Sequence, residues 1–125
     1  MLTYLLVALG GAIGSIARLW LSVQVGLLTG LKFPWGTIVV NIVSSLVIGF
    51  FSTLTGPNGR VAAPIEAQAF VMIGPCGGFT TFSAFSLQTL ELLQSGDIWP
   101  AGGYIAGSLV LCLAAVWAGW LVGRL

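Results

Sequence analysis

Residues 74–85 read GPCGGFTTFSAF, near the middle of the third long apolar stretch of the chain. Gly74, Pro75, Gly77 and Gly78 stand where a bilayer-crossing helix would have its centre. Thr80, Thr81 and Ser83 follow at once, among Phe79, Phe82 and Phe85. Proline has no N–H to give to the helix ladder, and its ring crowds the preceding turn. Irregular backbone inside a bilayer is tolerated only where protein buries it or where it lines a cavity. The stretch therefore predicts a third helix broken at mid-membrane, with hydroxyls and aromatic rings gathered at the break.

The surrounding composition requires a membrane. The 125 residues are 58% hydrophobic and 6% charged, with no histidine. An average soluble domain carries roughly 25% charged residues. The expected fold is all-α and integral to the membrane, a single four-helix transmembrane domain over residues 1–125. A net charge of +1 without clustered Lys and Arg excludes an electrostatic nucleic-acid binder. Cys76 and Cys112 fall within spans, with neither a CxxC nor a Cys/His cluster. They read as small packing residues rather than a zinc or redox site. The start MLTY has no basic segment, and Arg18 follows the apolar run, so no cleavable signal peptide is expected. No lipidation motif is seen.

A hydrocarbon core of about 30 Å needs about 20 apolar residues per helix. Four spans fit: Thr3–Leu28, Trp35–Leu54, Ile65–Leu93 and Trp99–Val122. GPNGR (56–60) and SGDIWP (95–100) are turn signals between them, with Asp97 a plausible cap and Pro100 in the first turn of the last helix. Both termini then share a side with Arg60 and Arg124; Lys32 and an outward-reaching Arg18 hold the other. A count of about two against two gives almost no preferred orientation. A chain that inserts both ways closes most simply as an antiparallel homodimer, because two-fold dimers are the commonest closed homo-oligomers. The alternative is a fixed orientation set by something outside the charge count. GxxxG spacing at Gly10/Gly14, Gly74/Gly78, Gly103/Gly107 and Gly119/Gly123 favours close helix approach.

Three spans carry uncharged polar stripes. Thr37, Asn41 and Ser45 recur every fourth residue on the second, with Ser44 alongside. Tyr104, Ser108 and Cys112 do so on the fourth. On the third, Phe82, Phe85 and Thr89 share one face, and Ser83 and Ser86 a neighbouring one. Taken singly, a hydroxyl bonded back to its own helix explains each Ser or Thr, and interhelical contact explains an Asn. Together they line a path. No Asp or Glu lies at a span centre: Glu66 and Glu91 sit near the ends of the third span, and Asp97 in a turn. A proton-coupled cation transporter needs such an acid, and a hydrolase needs a nucleophile with a base. Hydroxyls, the Asn41 amide and the positive edges of aromatic rings suit a small anion instead. Carbonyls freed at a helix break favour a cation beside it.

GGFTTFSAFSLQT (77–89) resembles the third-helix signature of the small fluoride channels of the Fluc (CrcB) type. GGAIGSIAR (10–18) is similar to their first-helix run ending in arginine, and WGTIVVN (35–41) to their second-helix motif ending in asparagine. Order and spacing agree over essentially the whole chain. The resemblance implies an antiparallel, dual-topology homodimer with two pores in the bacterial inner membrane, surrounded by lipid and passing fluoride. It implies a structural sodium ion at the dimer centre, held by the backbone carbonyls of Gly77 and Thr80 from both copies. It assigns the anion pathway to Asn41, Phe82 and Phe85, with the polar track of Tyr104 and Ser108, and gives Arg18 a structural or vestibule role. Thr81, Ser83, Gln88 and Thr89 complete the expected pathway. Gln88 departs from the glutamate of many members, and Cys112 stands where a hydroxyl residue occurs.

Three other classes fit less well. A small multidrug exporter is also a short four-span, dual-topology chain, but needs an acidic residue deep in the first span, where only Arg18 stands. A structural subunit of a larger assembly would transport nothing alone. A membrane enzyme lacks its catalytic groups.

Overall fold

The computed structural model describes residues 1–125 and is helical with no strand. The helices are α1 (Leu2–Thr29), α2 (Trp35–Thr55), α3 (Ile65–Ile73), α4 (Pro75–Phe79), α5 (Phe82–Gln94) and α6 (Ile98–Arg124). Counting Ile65–Gln94 as one segment, four stretches are long and apolar enough to cross a membrane. The 21 residues of α2 span about 32 Å at 1.5 Å each, close to the thickness of a hydrocarbon core. Each expected span agrees with an observed one to within two residues at either end.

The third segment breaks twice. At Gly74 the backbone turns to φ −67°, ψ −94°, and Pro75, which has no N–H, opens the single turn of α4. The Gly74 N–H still donates to the carbonyls of Ala69 and Phe70, at 3.3 and 3.1 Å. The second break is Thr80–Thr81, both extended, at the middle of the segment. Thr81 restarts the helix: its Oγ1 accepts the Ala84 N–H at 3.1 Å, as an N-cap should. Asp97 differs from expectation. It occupies the N-cap position of α6, but its side chain makes no capping bond. Its carbonyl alone accepts the Ala101 N–H, at 2.9 Å. Gly96, at φ 82°, makes the reversal before it, a backbone region that costs glycine little.

Glycine positions the helices around the break. α1 lies on α4 with Gly14 against the Pro75 carbonyl, so close that a Cβ would overlap that oxygen. α2 packs most extensively with α6, where a Cβ on Gly119 would overlap the Leu46 carbonyl. Of the four GxxxG pairs, three therefore meet neighbouring backbone within the chain. Gly103 and Gly107 meet nothing. A small core of Ile38, Leu92, Ala101 and Tyr104, flanked by Phe33, Ile42 and Phe85, ties α5 to α2 and α6.

Candidate functional site

Breaking the helix at Thr80–Thr81 strips backbone groups of their ladder partners, and the side chains around it take them up. Asn41 on α2 does so twice. Its Oδ1 accepts the Thr81 N–H at 3.1 Å, and its Nδ2 lies 3.5 Å from the Thr81 carbonyl. The amide thus replaces a strand partner for one residue. Arg18 Nη1 lies 3.5 Å from the Thr80 carbonyl. This corrects the expectation that Arg18 reaches outward: its guanidinium turns in to the break, where an oxygen is free to receive it. Ser15 Oγ approaches the Gly78 carbonyl at 3.4 Å, and Ser44 Oγ the Cys76 carbonyl at 3.4 Å. The Gly77 carbonyl accepts no hydrogen bond.

Two recesses flank the break, with Thr81 in the wall of both. The first, of about 350 Å³, lies between α2, α5 and α6 and is walled by Asn41, Ser45, Thr80, Phe82, Phe85 and Ser108. The Phe82 and Phe85 rings stand 5.5 Å apart, tilted at 40°. Phe82 is 77% exposed. Phe85 is half-buried and rests on Tyr104, centroids 5.1 Å apart. Ser108 is buried, and its hydroxyl has no partner. The second recess, of about 620 Å³, is walled by Ser15, Arg18, Ser22, Thr37, Ser83 and Gln88. It shares Ser22, Thr37 and Gln88 as wall residues with a third, of about 490 Å³, at the end of the fold that carries Lys32, Glu91 and Asp97. Of these three recesses only the outer one has carboxylates; neither of the two beside the break has one.

Of the expected pathway, the structure gathers Asn41, Thr81, Phe82, Phe85 and Ser108 in one recess and places Ser83 and Gln88 in the next. Ser83 Oγ is 3.4 Å from Thr81 Oγ1 across that boundary. Tyr104 and Thr89 are not brought in. The Tyr104 hydroxyl donates to Gln88 Oε1 at 2.8 Å, and Thr89 donates back to the Phe85 carbonyl at 2.8 Å. Ser15 and Ser22 escaped the sequence reading. Their signal is the spacing Ser15, Arg18, Ser22, which puts all three on one face of α1. Chemically, the two recesses at the break offer neutral hydroxyl and amide donors, ring edges and one guanidinium, with no base and no nucleophile pair.

Comparison with known sequences agrees with this chemistry. A family model described as CrcB-like protein, Camphor Resistance (CrcB), matches residues 5–120. A protein of Opitutus terrae named "Fluoride-specific ion channel FluC" is 60% identical over 116 residues, covering 93% of this chain and 88% of that protein. Proteins of the same name from Paramagnetospirillum magneticum and Rhodospirillum rubrum are 56% and 55% identical over 119 residues each. They cover 95% and 94% of this chain, and 93% and 92% of their own lengths.

Proposed function

The chain belongs to the family of CrcB-like proteins, and we propose that it is a fluoride-selective channel that lets cytoplasmic fluoride leave down its gradient. It is a multi-pass membrane protein and not an enzyme. The observation that carries the reading is the recess at the break: donors without a carboxylate, and among them the buried Ser108 hydroxyl with no partner.

Fluoride is small and strongly hydrated. A pore must replace that shell with pointed donors yet bind weakly enough for the ion to leave. Thr81, Ser83 and Ser108 supply hydroxyls, and Asn41 the second N–H of an amide whose other groups hold Thr81. Phe82 and Phe85 supply ring edges, which carry partial positive charge. The Arg18 recess forms the way in, where a cation without a neighbouring carboxylate raises the local anion concentration. Chloride is larger, so a path with donors set for fluoride excludes it.

In this reading two copies assemble antiparallel in the bacterial inner membrane, with two pores and a sodium ion between them. With Arg18 turned inward, the flanking charges become Arg60 and Arg124 against Lys32, a difference of only one. The free Gly77 carbonyl fits a hard cation, which takes oxygen ligands. Thr80 fits once Arg18 yields its carbonyl. When bound, sodium would draw these carbonyls together and steady the break. The multidrug-exporter alternative loses further ground, because α1 holds one charged residue, and that is Arg18.

The deciding experiment is fluoride efflux from liposomes containing the purified protein, with valinomycin to balance charge and chloride as the control. Rapid fluoride loss with little chloride loss is expected. No fluoride loss from folded, dimeric protein would falsify the channel and favour a structural subunit.

A further inference from the structure

The end of the fold remote from Lys32 holds a second basic cluster that the anion path does not use. Arg60, in the turn after α2, donates through Nη2 to the carbonyl oxygen of Arg124 at 2.6 Å. Arg124, at the last turn of α6, holds its guanidinium 4.5 Å above the Trp120 ring. Between them lies a recess of about 380 Å³ walled by Asn58, Arg60, Trp120 and Arg124, with no carboxylate side chain in its wall. The Ser52 and Thr53 hydroxyls at its edge donate to the Gly49 carbonyl. They leave the arginines as the principal donors.

Helix capping accounts for only part of this. Arg60 satisfies a terminal carbonyl of α6, and Arg124 complements the negative end of that helix. One N–H of Arg60 is then used, whereas a guanidinium has five. Both arginines line one recess whose wall carries no acidic side chain. At the other end of the fold Lys32 shares its recess with Glu91 and Asp97. The cluster also lies where two apolar spans stop, at Thr55 and Arg124. Trp117, Trp120 and Arg124 follow one face of α6, and Trp117 is 62% exposed. Tryptophan at a span end marks the headgroup level.

We propose that this recess binds the phosphate of an anionic phospholipid in the adjoining leaflet, with Arg60 and Arg124 as its ligands and the Trp117–Trp120 face under an acyl chain. Arginine's planar fork suits phosphate oxygens bidentately. Asn58 adds a side-chain donor in reach of the headgroup side of the recess.

Native mass spectrometry of the full chain in neutral detergent tests this, with phosphatidylglycerol or phosphatidylcholine added in turn. Phosphatidylglycerol is expected to remain bound preferentially. Arg60→Gln should lower its retention about fivefold, and Arg60→Gln with Arg124→Gln about 25-fold, while Lys32→Gln leaves it unchanged. If the double variant does not fold, Arg60→Gln alone against Arg60→Lys, which keeps the charge, reads the same difference. Equal retention of the two lipids, wild-type retention in the arginine variants, or an equal loss in Lys32→Gln each overturns the proposal. So does inorganic phosphate binding to delipidated protein without any preference between the lipids, which marks a site for soluble anions.

Discussion

Several hydroxyls on these helices donate to the preceding turn: Thr29 to Val25, Thr55 to Phe51, Ser86 to Phe82 and Thr89 to Phe85. Ser108 is 6% exposed and has no such bond. A buried donor left unsatisfied costs about 1–3 kcal/mol, so an apolar residue there should relieve the fold. We predict that Ser108→Ala leaves stability unchanged or raises it by about 1 kcal/mol, while fluoride efflux falls about tenfold, equivalent to about 1.4 kcal/mol of lost ion stabilisation. Thermal unfolding and liposome flux on the same preparation read both; lower stability with unchanged flux would leave Ser108 a packing residue. The two phenylalanines separate in the same way. Phe82 is largely exposed, so Phe82→Ile should change stability by no more than about 0.5 kcal/mol. Phe85 packs on both Phe82 and Tyr104, and Phe85→Ile should cost about 1 kcal/mol of aromatic pairing. Both are expected to lower efflux about tenfold, far more than Leu87→Ile. Equal flux from all three variants removes the ring edges from the pathway.

The element that most needs explaining is the broken third segment, and Asn41 is what holds it. Asn41→Ala removes both contacts to Thr81 and leaves its N–H unpaired, at a cost of about 1–3 kcal/mol. Faster hydrogen exchange at Thr81 than in wild type is the expected result; unchanged exchange would mean the break is held from elsewhere, by α1. The span limits were legible in the sequence because an uninterrupted apolar run and its flanking turns fix them almost alone. An interruption of the third helix was legible too, since Pro75 removes an N–H from the ladder and the glycines beside it favour no helix. That it falls in two steps was not. The single turn of α4 survives because α1 offers Gly10 and Gly14 as a surface, a tertiary effect that no local pattern carries. Arg18 was misread for a related reason. A long cationic side chain in a span ordinarily reaches outward for water, and only the carbonyl exposed at Thr80 gives it an inner partner. The recess residues on α2 and α5 were legible as stripes. The diversion of Tyr104 to Gln88 depends on how two helices face each other.

At the scale of the whole molecule, the chain is open. It exposes 7967 Å² at 13.0 kDa, whereas a compact protein of that mass exposes about 6,300 Å². Only 17 of 125 residues are buried, and in the dimeric reading proposed above lipid and a second copy cover the rest. The two halves of α6 differ in what they pack against. Gly119 and Gly123 lie against α2, but Gly103 and Gly107 have no atom of the chain near the place a Cβ would occupy. Small residues at this spacing let two membrane helices approach closely, and a chain that exposes them gains that contact only from a neighbour. Leu109 and Leu113, farther along the same helix, wall the recess at the break, so a partner seated there would narrow an open recess into a passage. Gly103→Leu tests the arrangement with the least disturbance to the chain itself, since its side chain meets nothing within one copy. Helix content by circular dichroism should be unchanged, light scattering in detergent should show a monomer, and fluoride efflux should be lost. A dimer mass with full efflux would mean that the second copy packs on another face, and that the open half of α6 faces lipid.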